Sequence, residues 1–95
     1  LDKDKLVIVD KKDRISKNLL TSYEFVRIIG ERTKQLTLGA KPLLKDYGEL
    51  TYEQIAIQEL KNKIIPYQIR RVVNNKYEIW DLDELRIDHL GSRLN

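Results

Sequence analysis

The 95-residue sequence contains no cysteine and no methionine, a single histidine, four glycines and two prolines. The lack of cysteine excludes disulfides and thiolate metal sites, and one histidine cannot form a histidine-rich metal site. No apolar run approaches the ~20 residues of a membrane-spanning helix, and no stretch has the pattern of a signal peptide. Because there is no initiator methionine, we expect the chain to be trimmed or incomplete at its N-terminus.

A chain of this length forms one small domain with a thin hydrophobic core. It buries only about 60–65% of the surface that its unfolded form exposes. Such domains are usually reinforced by disulfides, by a metal or by a partner chain. By elimination, we expect a partner chain to supply the additional burial.

Charged residues make up 35% of the chain and are unevenly distributed, although the net charge is only +3. Residues 60–76 contain five basic residues and no acidic one, whereas residues 77–95 contain five acidic and two basic residues. A net charge this small does not by itself indicate a nucleic-acid partner. Because the basic block and the acidic tail are adjacent, we expect part of their fields to cancel.

The first 18 residues mix six basic and four acidic side chains around a short apolar run, residues 6–9. The run is too short for a helix face and has no hairpin partner nearby. We interpret residues 1–18 as a mobile tail, which either docks in extended form on a partner or is disordered.

A first amphipathic helix is predicted to begin after Thr21. Thr21 and Glu24 have the spacing of a capping box, in which each side chain satisfies a free backbone N–H at the helix start. Gly39 is a typical helix end. Arg32 lies on the apolar stripe of this helix, where an arginine either extends to solvent or pairs with a carboxylate.

A second helix is predicted to begin after Thr51, which forms a similar box with Gln54. It should end near residues 62–63, because the residue before Pro66 is disfavoured in the helical region.

A β-hairpin is predicted to follow. Residues 67–73, "YQIRRVV", and 76–80, "KYEIW", are rich in β-branched and aromatic residues, and Asn74-Asn75 is a turn pair that tolerates positive φ. A lone hairpin is marginal in water, so it must pack on the helices or on a partner.

The sequence therefore predicts an α+β fold: a small domain of two main helices, a C-terminal β-hairpin and a short helical turn, with an extended N-terminal tail. Asp81 or Asp83 is expected to cap the short turn. The predicted boundaries are a tail at 1–18, the domain at 19–90 and a C-terminal tail at 91–95.

No pattern for catalysis is found. There is no nucleophile setting, no glycine-rich phosphate loop and no histidine pair. The acidic residues Asp81, Asp83, Glu84 and Asp88 resemble a hydrated helix cap more than a magnesium site. His89 has no residue ready to orient it and is interpreted as a surface histidine. We expect no catalytic residues, no cofactor, no metal and no small-molecule ligand.

A nucleic-acid-binding role is the main alternative that the residues themselves suggest. Two tyrosines are interleaved with the basic block and are candidate stacking groups. However, adjacent Arg70 and Arg71 point to opposite faces of a strand, so only one of them can join a given patch. The other must face the core, where it needs a carboxylate partner. The residues of this candidate patch are Lys61, Lys63, Tyr67, Arg70, Arg71, Lys76 and Tyr77.

Three stretches together resemble a known family. Residues 20–42, "LTSYEFVRIIGERTKQLTLGAKP", are similar to the first helix of the small omega-type subunit of multisubunit DNA-directed RNA polymerases. Residues 51–71, "TYEQIAIQELKNKIIPYQIRR", resemble its second block, and residues 77–85, "YEIWDLDEL", resemble the C-terminal end of its archaeal and eukaryotic branch. The length is most like that of archaeal subunit K.

The resemblance implies a non-catalytic subunit that clasps the largest subunit of RNA polymerase, promotes its assembly and stability, and meets DNA or RNA only indirectly through the complex. The compartment would be the cytoplasm of an archaeon, or the nucleus of a eukaryote. The runner-up is a free-standing nucleic-acid-binding domain that uses the basic hairpin. The resemblance also implies a set of partner-binding positions: Tyr23, Arg32, Gln35, Leu36, Gly39, Ala40, Pro42, Ile55, Ala56, Glu59, Leu60, Pro66, Arg70 and Arg71.

Two departures from the family pattern matter. Residues 1–18 are mixed in charge, whereas eukaryotic relatives carry a long acidic extension. Asn74-Asn75-Lys76 replaces a proline-aspartate-glycine turn, so a shorter hairpin is expected.

Arg32 is expected to pair with a carboxylate of the partner or with Glu59. We also expect Arg32→Ala to weaken incorporation into the polymerase more than it weakens folding of the isolated chain.

Overall fold

The computed structural model of the protein describes residues 7–95. This part of the chain confirms the predicted α+β fold, with two helices, an antiparallel hairpin and a short helical turn after it. The elements are α1 (Ser22–Thr37), α2 (Tyr52–Lys61), β1 (Gln68–Val73) and β2 (Lys76–Asp81), with 3-10 turns at Lys11–Asp13, Leu82–Glu84 and Asp88–Leu94.

Both helices begin at the predicted capping boxes. At α1 the N–H of Thr21 donates to Glu24 Oε1 at 3.0 Å, and the N–H of Glu24 donates to Thr21 Oγ1 at 3.0 Å. At α2, Thr51 and Gln54 exchange the same two bonds at 2.9 and 3.1 Å. Each cap typically stabilises a helix by about 1 kcal/mol, so the two starts are set locally.

Both helices end with a residue in the left-handed conformation. After α1, Gly39 has φ 105°, and the N–H of Ala40 donates to the Gln35 carbonyl at 3.0 Å. After α2, Lys63 has φ 56°, and its N–H donates to the Leu60 carbonyl at 2.9 Å. This turn satisfies carbonyls that the helix end would otherwise leave free.

The hairpin has a two-residue turn, as predicted. Asn74 and Asn75 have φ 52° and 62°, and the pairs Val73–Lys76 to Gln68–Asp81 follow in register. Two positive φ angles give a turn whose twist matches that of the strands.

The apolar run near the N-terminus lies against β2. Ile8 forms a parallel bridge with Tyr77, whose N–H donates to the Val7 carbonyl at 2.8 Å and whose carbonyl accepts from the Val9 N–H at 2.9 Å. As expected, this run has no hairpin partner nearby, because the strand that it contacts is far away along the chain. Of the predicted tail, residues 1–6 lie outside the described residues, and residues 7–18 make defined contacts with the hairpin; the mobility of this segment stays a prediction.

One core joins both helices, the hairpin and the C-terminal turns. Leu90 of the last 3-10 turn is buried in it, and Leu94, within the predicted C-terminal tail, packs against it. The buried apolar residues of the cluster are Leu20, Phe25, Ile28, Ile29, Leu36, Ile55, Ala56, Ile57, Leu60, Ile65, Trp80, Leu82, Leu85 and Leu90.

Candidate functional site

The centre of the predicted site is a buried ion pair between the two helices. Arg32 on α1 and Glu59 on α2 are 7% and 0% exposed. Arg32 Nε donates to Glu59 Oε1 at 2.5 Å, and Nη2 donates to Oε2 at 3.1 Å. Hydrogen bonding to this carboxylate raises the pKa of Arg32 above its ordinary value. Arg32 was expected to pair either with a carboxylate of a partner chain or with Glu59, and in the structure it pairs with Glu59.

The ion pair also holds the loop that follows α1. Arg32 Nη2 donates to the Lys41 carbonyl at 3.2 Å, and the Leu43 N–H donates to Glu59 Oε2 at 2.7 Å. Arg32 Nη1 donates to Gln35 Oε1 at 3.2 Å. Both helices and the bend at residues 39–43 are thus joined at one point.

The predicted partner-binding residues divide into two groups. Six of them are buried within this chain, where they form the helix interface and the ion pair: Arg32, Leu36, Ile55, Ala56, Glu59 and Leu60. The others reach the surface to different degrees: Tyr23, Gly39, Pro66 and Arg70 are exposed, and Gln35, Ala40, Pro42 and Arg71 are half-buried.

The arginine pair on β1 is divided as strand alternation predicts. Arg70 is exposed, and its guanidinium lies 4.9 Å from the centroid of the Tyr77 ring. Arg71 faces inward and forms a two-bond ion pair with Glu24, at 2.8 and 2.9 Å. The inward arginine therefore has the expected carboxylate, but this comes from the start of α1 and not from the adjacent acidic tail.

All five N–H donors of Arg71 have acceptors. Besides Glu24, they reach Ser16 Oγ at 3.0 Å, the Lys17 carbonyl at 2.7 Å and the Leu19 carbonyl at 2.8 Å. Burial alone would raise the pKa of Glu24, but hydrogen bonds from Arg71 and from the helix cap outweigh it and hold the pKa below its ordinary value. Arg71 is a structural junction with no donor left for a phosphate.

A second buried carboxylate, Glu78, was not singled out from the sequence. It is 2% exposed and accepts from the Ile15 N–H at 2.8 Å, the Ser16 N–H at 3.3 Å, the Ser16 hydroxyl and Trp80 Nε1 at 3.2 Å. Burial raises the pKa of Glu78, but these hydrogen bonds outweigh it and lower the pKa to about 2. The sequence feature that could have identified it is the position of a glutamate between Tyr77 and Trp80, on the inward face of the strand.

A third carboxylate, Glu84, binds Arg14. Arg14 Nη2 and Nη1 lie 2.9 and 3.2 Å from the two oxygens of Glu84, and Nη1 also donates to the Ile79 carbonyl at 2.9 Å. The guanidinium is stacked 3.6 Å from the centroid of the Trp80 ring. Hydrogen bonds from Arg14, and then from the Asp81 backbone, lower the pKa of Glu84 to about 2. We call residues 14–16, held by Glu78 and Glu84, the strap.

Two of the remaining acidic residues of the C-terminal region, Asp81 and Asp88, have side-chain partners of their own. Asp81 accepts from Gln68 at 2.8 Å, and Asp88 forms an exposed pair with Arg86 at 3.0 Å. The Asp81 N–H donates to Glu84 Oε1 at 2.9 Å, as expected for a cap of the short turn. Within residues 7–95, no group of three His, Asp or Glu side chains could hold a metal ion. The exposed His89 has its Nε2 2.6 Å from the Leu20 carbonyl.

The basic block is a weaker nucleic-acid surface than its composition indicates. Arg71 is fully used, and Lys63 Nζ donates to the carbonyls of Asp83 and Leu85 at 3.3 and 3.4 Å. Tyr77 is 9% exposed and Tyr67 is half-buried, which limits the ring area that either can offer as a stacking platform. In the described part of the chain, no helix is both long and apolar enough to cross a membrane.

Comparisons with known proteins agree with the resemblance found in the sequence. A family model described as RNA polymerase Rpb6 matches residues 14–67, a range that begins at the strap and ends before the hairpin.

Individual relatives come from a virus, a eukaryote and an archaeon. The chain is 38% identical over 82 residues to DNA-directed RNA polymerase subunit 6 of Acanthamoeba polyphaga mimivirus, covering 85% of this chain and 21% of the relative. It is 40% identical over 78 residues to subunit RPABC2 of RNA polymerases I, II, and III of Schizosaccharomyces pombe, covering 81% and 55%. It is 45% identical over 67 residues to DNA-directed RNA polymerase subunit Rpo6 of Sulfurisphaera tokodaii, covering 66% and 77%. The chain thus spans about a fifth of the viral relative and about half of the yeast one.

Proposed function

Because this chain belongs to the RNA polymerase Rpb6 family, we propose that it is a non-catalytic subunit of a DNA-directed RNA polymerase. In this role it binds the largest subunit of that enzyme and promotes its assembly and stability. Its compartment is then that of the enzyme, which is the cytoplasm in an archaeal cell and the nucleus in a eukaryotic one.

The observation that carries the assembly role is the surface of the segment between the helices. Five large apolar side chains in it and at the start of α2 are between 38% and 77% exposed. These side chains lie within 15 residues of one another in the sequence, and exposed apolar side chains that adjoin on a surface are typical of a protein–protein interface. We call these residues the loop patch: Leu38, Leu43, Tyr47, Leu50 and Tyr52.

The first part of the loop, at residues 41–43, is held in place before any partner binds. The buried pair of Arg32 and Glu59 bonds directly to the backbone of Lys41 and Leu43. A preorganised loop loses less conformational entropy on binding, so more of the contact energy appears as affinity. The ion pair therefore serves partner binding indirectly, by shaping the loop.

Binding by such a chain promotes assembly through two general effects. A folded module that contacts two separate segments of a long partner reduces the entropic cost of bringing those segments together. A module that binds only the folded partner also stabilises it by mass action. Neither effect requires a catalytic group on this chain.

Reconstitution tests the proposal. Polymerase prepared without this chain is incubated with and without the purified protein, and its rate of thermal inactivation is measured. The expected result is a longer half-life with the protein, saturating at one copy per enzyme. An unchanged half-life at saturating concentration would count against an assembly role.

A further inference from the structure

Strand β1 presents the backbone groups of three residues away from its partner strand. Val73 and Lys76 flank the two-residue turn and so form a hydrogen-bonded pair, from which bonded and non-bonded pairs alternate along the ladder. The N–H and C=O groups of Gln68, Arg70 and Val72 therefore point outward, along the free edge of the sheet.

The opposite edge of the hairpin, on β2, shows the same alternation. Part of this edge is covered by the N-terminal segment of the chain. Tyr77 lies across from Val72 in the register, and its outward N–H and C=O groups bond to Val7 and Val9. Within residues 7–95, no hydrogen-bond partner is present for the outward backbone groups of β1. The chain thus adds its own N-terminal segment to one edge of the hairpin and leaves the other edge open.

A groove runs beside β1. A cavity of about 490 Å³ lies between α1 and residues 67–70, and a second of about 620 Å³ lies between residues 16–24 and residues 71–73. Both cavities reach Glu24. Together they follow the whole strand, which gives room for an extended peptide.

The groove has an excess of available positive charge. Arg70 and Arg27 line it and are exposed, as is Lys17 beside its second cavity. The guanidinium of Arg70 lies over the Tyr77 ring and must turn from it to meet a carboxylate in the groove. Of the acidic residues in the groove, Glu24 is already paired with Arg71, which leaves Glu31. An acidic peptide is the complementary occupant.

We propose that β1 accepts an extended acidic segment of another polymerase subunit as an added strand along its outer edge. The backbone groups of Arg70 and Val72 form the ladder bonds, and the side chains of Arg70 and Arg27 pair with carboxylates of the segment. Main-chain bonds supply affinity and the alternate side chains supply specificity in this mode of binding. The inference rests on the proposed function for the identity of the partner.

Hydrogen–deuterium exchange of the protein, free and in the assembled polymerase, tests the proposal. In the free protein the amides of Arg70 and Val72 should exchange fast, whereas those of Arg71 and Val73, which bond to β2, should be protected. In the complex we expect the Arg70 and Val72 amides to slow by about tenfold or more, because exchange then requires opening of the added ladder.

The outcomes separate the two proposals. If the protein does not enter the polymerase, both are overturned. If it enters and the two outward amides still exchange fast, only the added strand is overturned. If the amides become protected in the isolated protein as its concentration rises, the edge binds a second copy of this chain, which also overturns the proposal.

Variants of the edge give a second test with a matched control. Val72→Pro removes one outward N–H at a position where an edge strand tolerates proline, whereas Val72→Ala keeps the N–H and loses only side-chain contact. We expect affinity for the polymerase to fall about tenfold more for proline than for alanine. Arg70→Glu, which leaves the backbone intact, should weaken binding and flatten its salt dependence; equal affinity of all three variants and wild type would overturn the proposal.

Discussion

Arg32 of α1 and Glu59 of α2 share two hydrogen bonds in the core, and each also bonds to the backbone of the loop between the helices. This relationship joins the fold to the proposed function. The same two side chains that close the helix interface also hold the backbone of residues 41–43, at the start of the loop.

The first prediction concerns the loss of Arg32. Arg32→Ala leaves a carboxylate with no exposure and no cation, and breaking such a buried pair typically costs about 3–5 kcal/mol. We expect the free energy of unfolding in urea to fall by about this much. A domain of this size has a total stability of only about 5–14 kcal/mol, so this loss removes a large share of it.

This outcome differs from the expectation based on the sequence, in which Arg32→Ala mainly affects incorporation. The double variant Arg32→Met with Glu59→Leu is the control, because it removes both charges and keeps the volume. Its stability should exceed that of Arg32→Ala. If Arg32→Ala instead unfolds at the same urea concentration as wild type, the pair does not have the structural role described.

The second prediction concerns acid sensitivity. The folded pKa of Glu78 is about 2, below the ordinary 4.5. A carboxyl group with a depressed folded pKa contributes stability that is present above its unfolded pKa and is lost as the pH falls toward the folded pKa. Stability should therefore fall between about pH 4.5 and 2, and Glu78→Gln should make this dependence shallower.

Glu84 has a pKa depressed to the same range, so a Glu78 variant should flatten the profile only in part. The measurement is urea unfolding at a series of pH values. An identical slope for wild type and Glu78→Gln would contradict the assignment.

The third prediction concerns the strap. Arg14 binds both oxygens of Glu84 and stacks on Trp80, a combination of planar contacts that lysine cannot reproduce. Arg14→Lys should speed hydrogen exchange at the Ile15 amide, which bonds to Glu78, and leave exchange in α2 unchanged. Equal acceleration in both regions would show a general loss of stability instead of release of the strap.

The fourth prediction uses the two left-handed helix ends as a matched pair. Lys63 has φ 56°, a left-handed conformation that is strained for a residue with a side chain, and Lys63→Gly removes this strain. Gly39→Ala introduces the same kind of strain at φ 105°, although nothing lies within 4 Å of the new Cβ. Lys63→Gly also loses the hydrogen bonds of the Lys63 ammonium to Asp83 and Leu85, so its reference is Lys63→Ala, which loses the same bonds. Lys63→Gly should be more stable than Lys63→Ala, and Gly39→Ala should be less stable than wild type, each by about 1 kcal/mol. Thermal unfolding would detect both, and equal stability within either pair would contradict this backbone explanation.

The elements that could be predicted from the sequence are those whose signals are local. The capping boxes at Thr21 and Thr51, the helix end at Gly39 and the Asn74-Asn75 turn each depend on a few adjacent residues. Strand alternation likewise predicted that one of the two arginines would face inward.

The contacts that could not be predicted join residues distant in sequence. Residues 7–9 pair with β2, and Arg71 pairs with Glu24, because the tertiary fold brings them together. The Glu78 carboxylate accepts hydrogen bonds from backbone N–H groups of the strap. Such contacts cannot be predicted from composition, because every residue type except proline has a backbone N–H. The number of charged residues in a segment does not indicate which of them form ion pairs with each other.

The last prediction concerns the loop patch, whose variants separate binding from folding. Leu38 is 77% exposed and Leu43 is 46% exposed, so the double variant Leu38→Ser with Leu43→Ser should fold normally and bind polymerase at least about tenfold more weakly. Val26→Ser, at a site 54% exposed on α1, is the matched control and should bind as wild type does. If both variants bind polymerase equally well, the loop patch is not part of the interface.

The most direct test of the account is affinity purification of the tagged protein from the source cell, with quantitative mass spectrometry of the chains recovered with it. The account predicts the largest polymerase subunit at one copy per copy of this protein, with recovery resistant to nuclease treatment. Recovery without polymerase chains, together with binding of the isolated protein to DNA or RNA that falls steeply with salt, would contradict it.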